Sequence, residues 1–223
     1  TISAVNITLN CNGYSITGTN ASGTYGVYSN QVGTVVKNCN ISNFYSAIYL
    51  TGAHSSSIIN NTITSSGSEH VLRIGGSNIV LQNNSISYIG TIATVASIAV
   101  YSEAPNASID CKGASITGQN VSQTYGIYSN ALNTTIRNCN ISNFFTGVYL
   151  NAATSGLIEN NSISSTYATG CTWGAVGCQA IFLYGTVDTV IRYNNLSAYT
   201  LTINSYASNT RSFIHSNRIT STL

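Results

Sequence analysis

The stretch Thr34-Val-Val-Lys-Asn-Cys-Asn-Ile-Ser42 decides the fold, because near-copies of it recur from one end of the chain to the other. Its apolar positions Val36, Cys39 and Ile41 let a short extended segment turn at Asn38. Beyond the turn, Cys39 and Ile41 lie on one face and Asn40 and Ser42 on the other. Copies include Leu9-Asn-Cys11, Ile58-Ile-Asn-Asn61-Thr-Ile63, Leu81-Gln-Asn-Asn84-Ser-Ile86, Ile109-Asp-Cys111 and Ile136-Arg-Asn-Cys139-Asn-Ile141. They continue with Ile158-Glu-Asn-Asn161, Ile191-Arg-Tyr-Asn194 and Ile214-His-Ser-Asn217. The marker position falls at 11, 39, 61, 84, 111, 139, 161, 194 and 217, steps of 22 to 33 residues and nine coils in all.

A repeat of that length with strand periodicity indicates a solenoid. Between markers lies a second strand: Gly26-Val-Tyr-Ser29, Ala47-Ile-Tyr-Leu50, Val71-Leu-Arg-Ile74, Ala99-Val-Tyr-Ser102 and their later counterparts. Each coil thus supplies at least two strands, stacked on those of the next coil as parallel sheets. The expected fold is all-β, a right-handed parallel β-helix forming a single domain over 1–223. Residues 11–50 match 111–150 at an offset of 100, so the chain reads as tandem four-coil modules, 1–100 and 101–206, with 207–223 opening a further coil. The second module carries about ten extra residues before Ala180, and these hold the chain's one tryptophan, Trp173.

Composition narrows the function. Five acidic and seven basic side chains give a net charge of +2, which provides no electrostatic case for nucleic acid or an anionic membrane. No apolar run is long enough to span a bilayer, no signal peptide remains, and the absence of Met even at position 1 fits a processed or internal piece of a longer chain. Cys11 and Cys39 share an inward column in neighbouring coils, as do Cys111 and Cys139; coils about 4.8 Å apart suit disulfide geometry. The expected bonds are Cys11–Cys39, Cys111–Cys139 and a short loop closed by Cys171 and Cys178, which implies an oxidising, extracellular setting. The alternative for the first four is free buried thiols replacing asparagine in the column. Zinc has no CxxC pair or histidine set to hold it. Asn-x-Ser/Thr sequons abound; Asn40 and Asn140 point outward on strands, and Asn20, Asn120, Asn106 and Asn133 are further glycosylation candidates.

In a solenoid, equivalent positions stack into columns. Asn61, Asn84, Asn161, Asn194 and Asn217 form an expected asparagine ladder, a structural feature. Outward, Tyr28, Tyr49, Arg73, Tyr101, Tyr128, Tyr149 and Phe182 line one face, with Arg73 set among rings. Such a stripe, together with Trp173, suits a glycan or a neighbouring copy; it equally suits ordinary cross-coil packing, and Trp173 equally suits folding back on the cylinder.

The patterns Asn10-Cys-Asn-Gly-Tyr-Ser-Ile-Thr-Gly18, Tyr25-Gly-Val-Tyr28, Lys37-Asn-Cys-Asn-Ile-Ser42 and Ile58-Ile-Asn-Asn-Thr-Ile63 resemble the repeats of the NosD-like, pectin-lyase-like group of right-handed β-helices, particularly archaeal cell-surface versions. The resemblance covers nearly the whole chain and implies the fold rather than one activity, since lyases, hydrolases, sugar-binding modules and surface proteins share it. Lyases of that group use an acidic calcium cluster with a basic proton abstractor, and its hydrolases a close carboxylate set. Here Glu69, Glu103, Asp110, Glu159 and Asp188 are scattered, His54, His70 and His215 stand apart, and Glu69-His70 near Arg73 reads as a solvated loop at a coil corner. The expectation is therefore a non-enzymatic protein without catalytic residues, metal or cofactor. Its expected role is that of an extracellular structural component of the cell surface, self-associating head to tail into filaments through its bare end coils. The alternatives are a carbohydrate-binding or adhesion module and, behind it, a polysaccharide lyase or hydrolase.

Overall fold

The computed structural model describes residues 1–66, 70–90, 96–166 and 177–221. Each coil contributes a strand to three parallel sheets. The first sheet stacks nine three-residue strands, from Thr8–Asn10 through Val35–Lys37 to Phe213–His215. The second stacks nine, from Ser15–Thr17 through Asn40–Ser42 to Arg218–Ser221, and the third stacks eight, from Tyr25–Ser29 to Leu201–Tyr206. All named strand pairs are parallel between successive coils, as in a right-handed parallel β-helix.

In seven coils two residues join first-sheet strand to second-sheet strand, and the first of them turns the chain through the left-handed region. Asparagine is the side chain that tolerates this best after glycine. Asn38, Asn60, Asn83, Asn138 and Asn160 all sit there, with φ between 52° and 55°. The turn carries the next residue, Cys or Asn, into the interior.

Three aliphatic columns fill the cylinder. Val36, Ile58, Leu81, Ile109, Ile136, Ile158 and Ile191 stack from the first sheet, and Ile41, Ile63, Ile86, Ile116, Ile141, Ile163 and Leu196 from the second. Val27, Ile48, Leu72, Val100, Ile127, Val148 and Ile181 complete the core, and every residue of the three columns is buried. β-branched side chains with one favoured rotamer suit such stacking.

The marker column closes the fourth corner. Cys11–Cys39 and Cys111–Cys139 are disulfides, each with Cα atoms 4.8 Å apart. Cys178 is buried and disulfide-bonded, and its expected partner Cys171 lies outside the described residues. Between the cystines Asn61 Nδ2 donates to Asn84 Oδ1 at 2.9 Å, and beyond the second Asn161 Nδ2 donates to Asn194 Oδ1 at 3.0 Å and Asn194 Nδ2 to Asn217 Oδ1 at 2.9 Å. Each amide also serves the backbone: the Cys39 and Cys139 N–H groups donate to Asn61 and Asn161 Oδ1, both at 2.9 Å.

The two modules repeat one packing device. A Cβ on Gly26 would lie 2.7 Å from Ile41 Cγ2, beside the Phe44 ring; on Gly126 it would lie 2.7 Å from Ile141 Cγ2, beside Phe144. Glycine at that place lets the aromatic ring lie under the strand.

Candidate functional site

The outer face of the third sheet gathers most of the candidate chemistry. Register aligns Tyr28, Tyr49, Arg73, Tyr101, Tyr128, Tyr149 and Phe182 into one row, followed by Asn204. Ring centroids lie 5.6 Å apart for Tyr28 and Tyr49, 5.2 Å for Tyr101 and Tyr128, and 5.1 Å for Tyr128 and Tyr149. Arg73 interrupts the aromatic row without breaking contact, its guanidinium 5.1 Å from the Tyr49 ring centre and 5.3 Å from that of Tyr101. Phe182, at 1% exposure, takes no part in an open surface.

A second row lies three residues earlier, exposed at Tyr25 and half-buried at His70 but buried at Ser46, Ile98, Tyr125, Thr146 and Gln179. Pairing across the sheet omits one position per strand, as where Tyr25 faces Ser46 and Val27 faces Ile48. The omitted residues are small in most coils, Gly26, Ala47, Ala99, Gly126, Gly147 and Ala180, and the strand kinks over them. As a result His70 and Arg73 both reach Tyr101: the imidazole stacks on the phenol at 4.4 Å between centroids. His70 thus opens the strand His70–Ile74 and does not belong to the solvated corner loop expected for Glu69-His70; Glu69 itself lies outside the described residues. A cavity of about 220 Å³ opens among Tyr25, Ser46, Tyr49, His70 and Arg73.

Glu103 ties the cluster together. Arg73 Nη2 donates to its Oε2 at 3.1 Å and the Tyr101 hydroxyl to its Oε1 at 2.9 Å. Partial burial works against the Arg73 charge, but the hydrogen bond and charge of Glu103 outweigh it and hold the guanidinium above its ordinary pKa. Burial, then the hydrogen bond and charge of Glu103, push the Tyr101 phenol up to about 12, opposed by Arg73. Burial, then the neighbouring Tyr128, push Tyr149 up to about 12 as well. At neutral pH both are phenols, able to donate a proton and unfit to accept one.

These shifts have a consequence for alkaline stability. A folded-state pKa raised above the ordinary value of about 10 means that the stabilisation is fully present below pH 10 and is lost as pH rises toward 12. Tyr101→Phe removes one of these ionisations, so its alkaline unfolding midpoint, followed by circular dichroism, is expected above that of the unmodified chain. An unchanged midpoint would uncouple Tyr101 from the transition.

The remaining described carboxylates pair similarly with an arginine of an adjacent coil. Asp110 meets Arg137 at 3.0 Å, Glu159 meets Arg192 at 2.8 Å, and Asp188 meets Arg211 at 2.6 Å. Each pair joins chain positions 23 to 33 residues apart, so it reports coil register.

The other candidates are dispersed. Trp173 lies outside the described residues. Asn40 and Asn140 are exposed on the second sheet, and the Asn140 amide donates to Gly113 O at 2.8 Å. Asn20 donates to Ser66 Oγ at 2.6 Å, Asn120 accepts from Thr166 at 3.1 Å, and Asn133 and Asn106 belong to an outer amide ladder running on to Asn78.

No family model matches the chain, and no curated protein matches it. Solved structures do. The A-module of the mannuronan C-5 epimerase AlgE4 of Azotobacter vinelandii superposes with a TM-score of 0.60 at 17% identity, covering 88% of this chain and 59% of that one. The AlgE6 A-module of the same organism gives 0.59 at 15%, covering 86% and 59%, and an alginate lyase from Paenibacillus sp. str. FPU-7 gives 0.56 at 12%, covering 97% and 86%. At these identities the likeness is one of fold. The chain spans 59% of the length of the epimerase modules it matches.

That finding corrects the expectation of a non-enzymatic chain. Chains sharing its fold include two epimerase modules and a lyase by name, so the scattered carboxylates do not exclude catalysis. The physical reason is that proton transfer to or from a sugar carbon does not require a carboxylate cluster. Histidine and tyrosine serve as acids and bases, and a cation offsets developing charge; His70, Tyr101 and Arg73 share one patch.

Proposed function

We propose that the chain is an extracellular protein that engages polysaccharide on the outer face of its third sheet, at the patch built from Tyr49, His70, Arg73, Tyr101 and Glu103. One observation carries this reading: a guanidinium is held between two tyrosine rings beside an open cavity, in a row of rings that runs along the cylinder. Rings present apolar faces to sugar carbons and hydroxyls at their edges, while arginine and glutamate supply directional hydrogen bonds to sugar oxygens. Two disulfides fit an oxidising compartment, and among the described residues no helix is long and apolar enough to cross a membrane. The names of the fold relatives, mannuronan epimerase and alginate lyase, support polysaccharide as the ligand class. Turnover on a bound chain would use the same patch, with His70 taking the proton from the sugar carbon and the Tyr101 phenol returning one. Head-to-tail filament formation draws no support from these relatives, whose names state no assembly.

The test is binding of mannuronan and of a neutral mannan by the purified chain, with product analysis for new double bonds or altered C-5 configuration. Aromatic and arginine anchors at the centre of an interface typically contribute at least 2 kcal/mol, so Arg73→Ala or Tyr49→Ala is expected to weaken binding about 30-fold while leaving thermal unfolding nearly unchanged. Isotherms matching the unmodified chain in both variants would sink the assignment.

A further inference from the structure

The corner where the first and second sheets meet is concave on its outer side. A residue in the left-handed region bends the chain sharply there, and in two coils a longer turn projects beside the bend. The turn Asn12-Gly13-Tyr14 follows Cys11, and Lys112-Gly113-Ala114 follows Cys111; both glycines have φ of 88° and open space where a Cβ would stand. Each turn is tied to the next coil, since Tyr14 O accepts from Asn40 N and Ala114 O from Asn140 N, both at 3.2 Å. The turns therefore stand as fixed walls.

Against each wall lies a slot. The first, of about 340 Å³, is lined by Gly13, Asn38, Asn40, Asn60 and Thr62; the second, of about 450 Å³, is lined by Gly113, Asn138, Asn140, Asn160 and Ser162. These are the same five places at the duplication offset of 100 residues, and both are open, shallow depressions rather than enclosed cavities. Apart from the glycines and the half-cystines Cys39 and Cys139, the lining common to both slots is amides and hydroxyls, with no carboxylate in either. The second slot adds Lys112 and the half-exposed ring of Tyr193.

We infer that the twin corner slots are a pair of saccharide-binding sites, distinct from the aromatic face, in which amide and hydroxyl side chains engage sugar hydroxyls. Amides offer both donors and acceptors, as vicinal hydroxyls require, and they do so without the desolvation cost of a charge. The Tyr193 ring and Lys112 make the second slot the tighter of the two. Four strand steps separate them, from Val35–Lys37 to Thr135–Arg137, or about 19 Å at the strand spacing. One polymer chain can therefore occupy both, and the second contact becomes intramolecular.

The experiment uses the whole chain, labelled for amide NMR and titrated separately with mannohexaose and with its uronate counterpart, hexamannuronate. The sugars share a hydroxylated pyranose backbone, and only the second carries carboxylates. Shifts clustered at 38–40 and at 138–140 with either sugar are the expected result; preference for hexamannuronate would assign Lys112 to a carboxylate, and preference for mannohexaose would assign it to hydroxyl oxygens. The double variant Lys112→Asn/Tyr193→Ala, altered only at exposed positions, is expected to weaken the second slot at least tenfold and leave the first unchanged. Tyr49→Ala is expected to leave both slots intact, so failure of the aromatic-face reading is distinguishable. If neither sugar shifts the corner amides, or if the double variant binds like the unmodified chain, the inference is overturned.

Discussion

Replacing all four cysteines of the marker column by alanine is expected to lower the free energy of unfolding by about 6–8 kcal/mol. Each bond joins residues 28 apart, for which chain-entropy estimates give about 3–4 kcal/mol. The two cystines lie in different modules with the Asn61–Asn84 segment of the column between them, so their effects should add. A loss of that size is comparable to the whole stability of an ordinary domain. The column itself suggests the rescue. Cys11, Cys39, Cys111 and Cys139 occupy places that asparagine fills in the other coils, and there it bonds the coil below and the coil above. Substituting Cys111→Asn with Cys139→Asn should therefore cost less than the matching alanine pair, by about 1–3 kcal/mol of hydrogen bonding restored to buried backbone groups. Denaturant unfolding of the three proteins decides it. An alanine variant that unfolds at the same denaturant concentration as the parent would show that the ladders alone hold the coils.

The marker column was legible because its physics is local. A residue in the left-handed region followed by an inward polar or cystine position leaves the same mark in seven of the nine coils, whatever lies between. The aromatic row was legible for the same reason, since Tyr28, Tyr49 and Arg73 stand at one fixed place in their strands. What alternation could not disclose was the kink at Gly26, Ala47 and their counterparts, which buries two consecutive residues and brings His70 and Tyr25 to the outer face with Arg73 and Tyr28. A rule of two puts residues three apart on opposite faces. The small residue recurring in six of those strands was the available signal.

Ion pairs were illegible for a different reason. Coil lengths vary between 22 and 33 residues, so Glu103 meets Arg73 across 30 residues and Glu159 meets Arg192 across 33. No fixed spacing connects them until the register is known. The corner slots were hidden likewise: their amides were visible as part of the repeat, but the walls exist only because the turns at Gly13 and Gly113 project outward.

Asn161→Ala should be among the most destabilising single substitutions outside the aliphatic core, costing about 3–5 kcal/mol. Its side chain is buried and makes three bonds: Oδ1 accepts from Cys139 N at 2.9 Å, and Nδ2 donates to Ile136 O and to Asn194 Oδ1, both at 3.0 Å. Alanine would strip partners from a buried N–H and a buried carbonyl, at about 1–3 kcal/mol each, and leave a void the size of an amide. The neighbouring residue supplies the control. Asn160 is exposed and donates to Asn138 Oδ1 at 2.6 Å across the surface, and its φ of 55° suits glycine. Asn160→Gly is therefore expected to cost below about 1 kcal/mol. Two adjacent asparagines in one turn should thus differ several-fold in their effect on the denaturation midpoint, because one completes the interior ladder and the other only decorates the corner. Equal effects would mean that water enters the column in place of the missing amide, and that the ladder organises the corner without holding it.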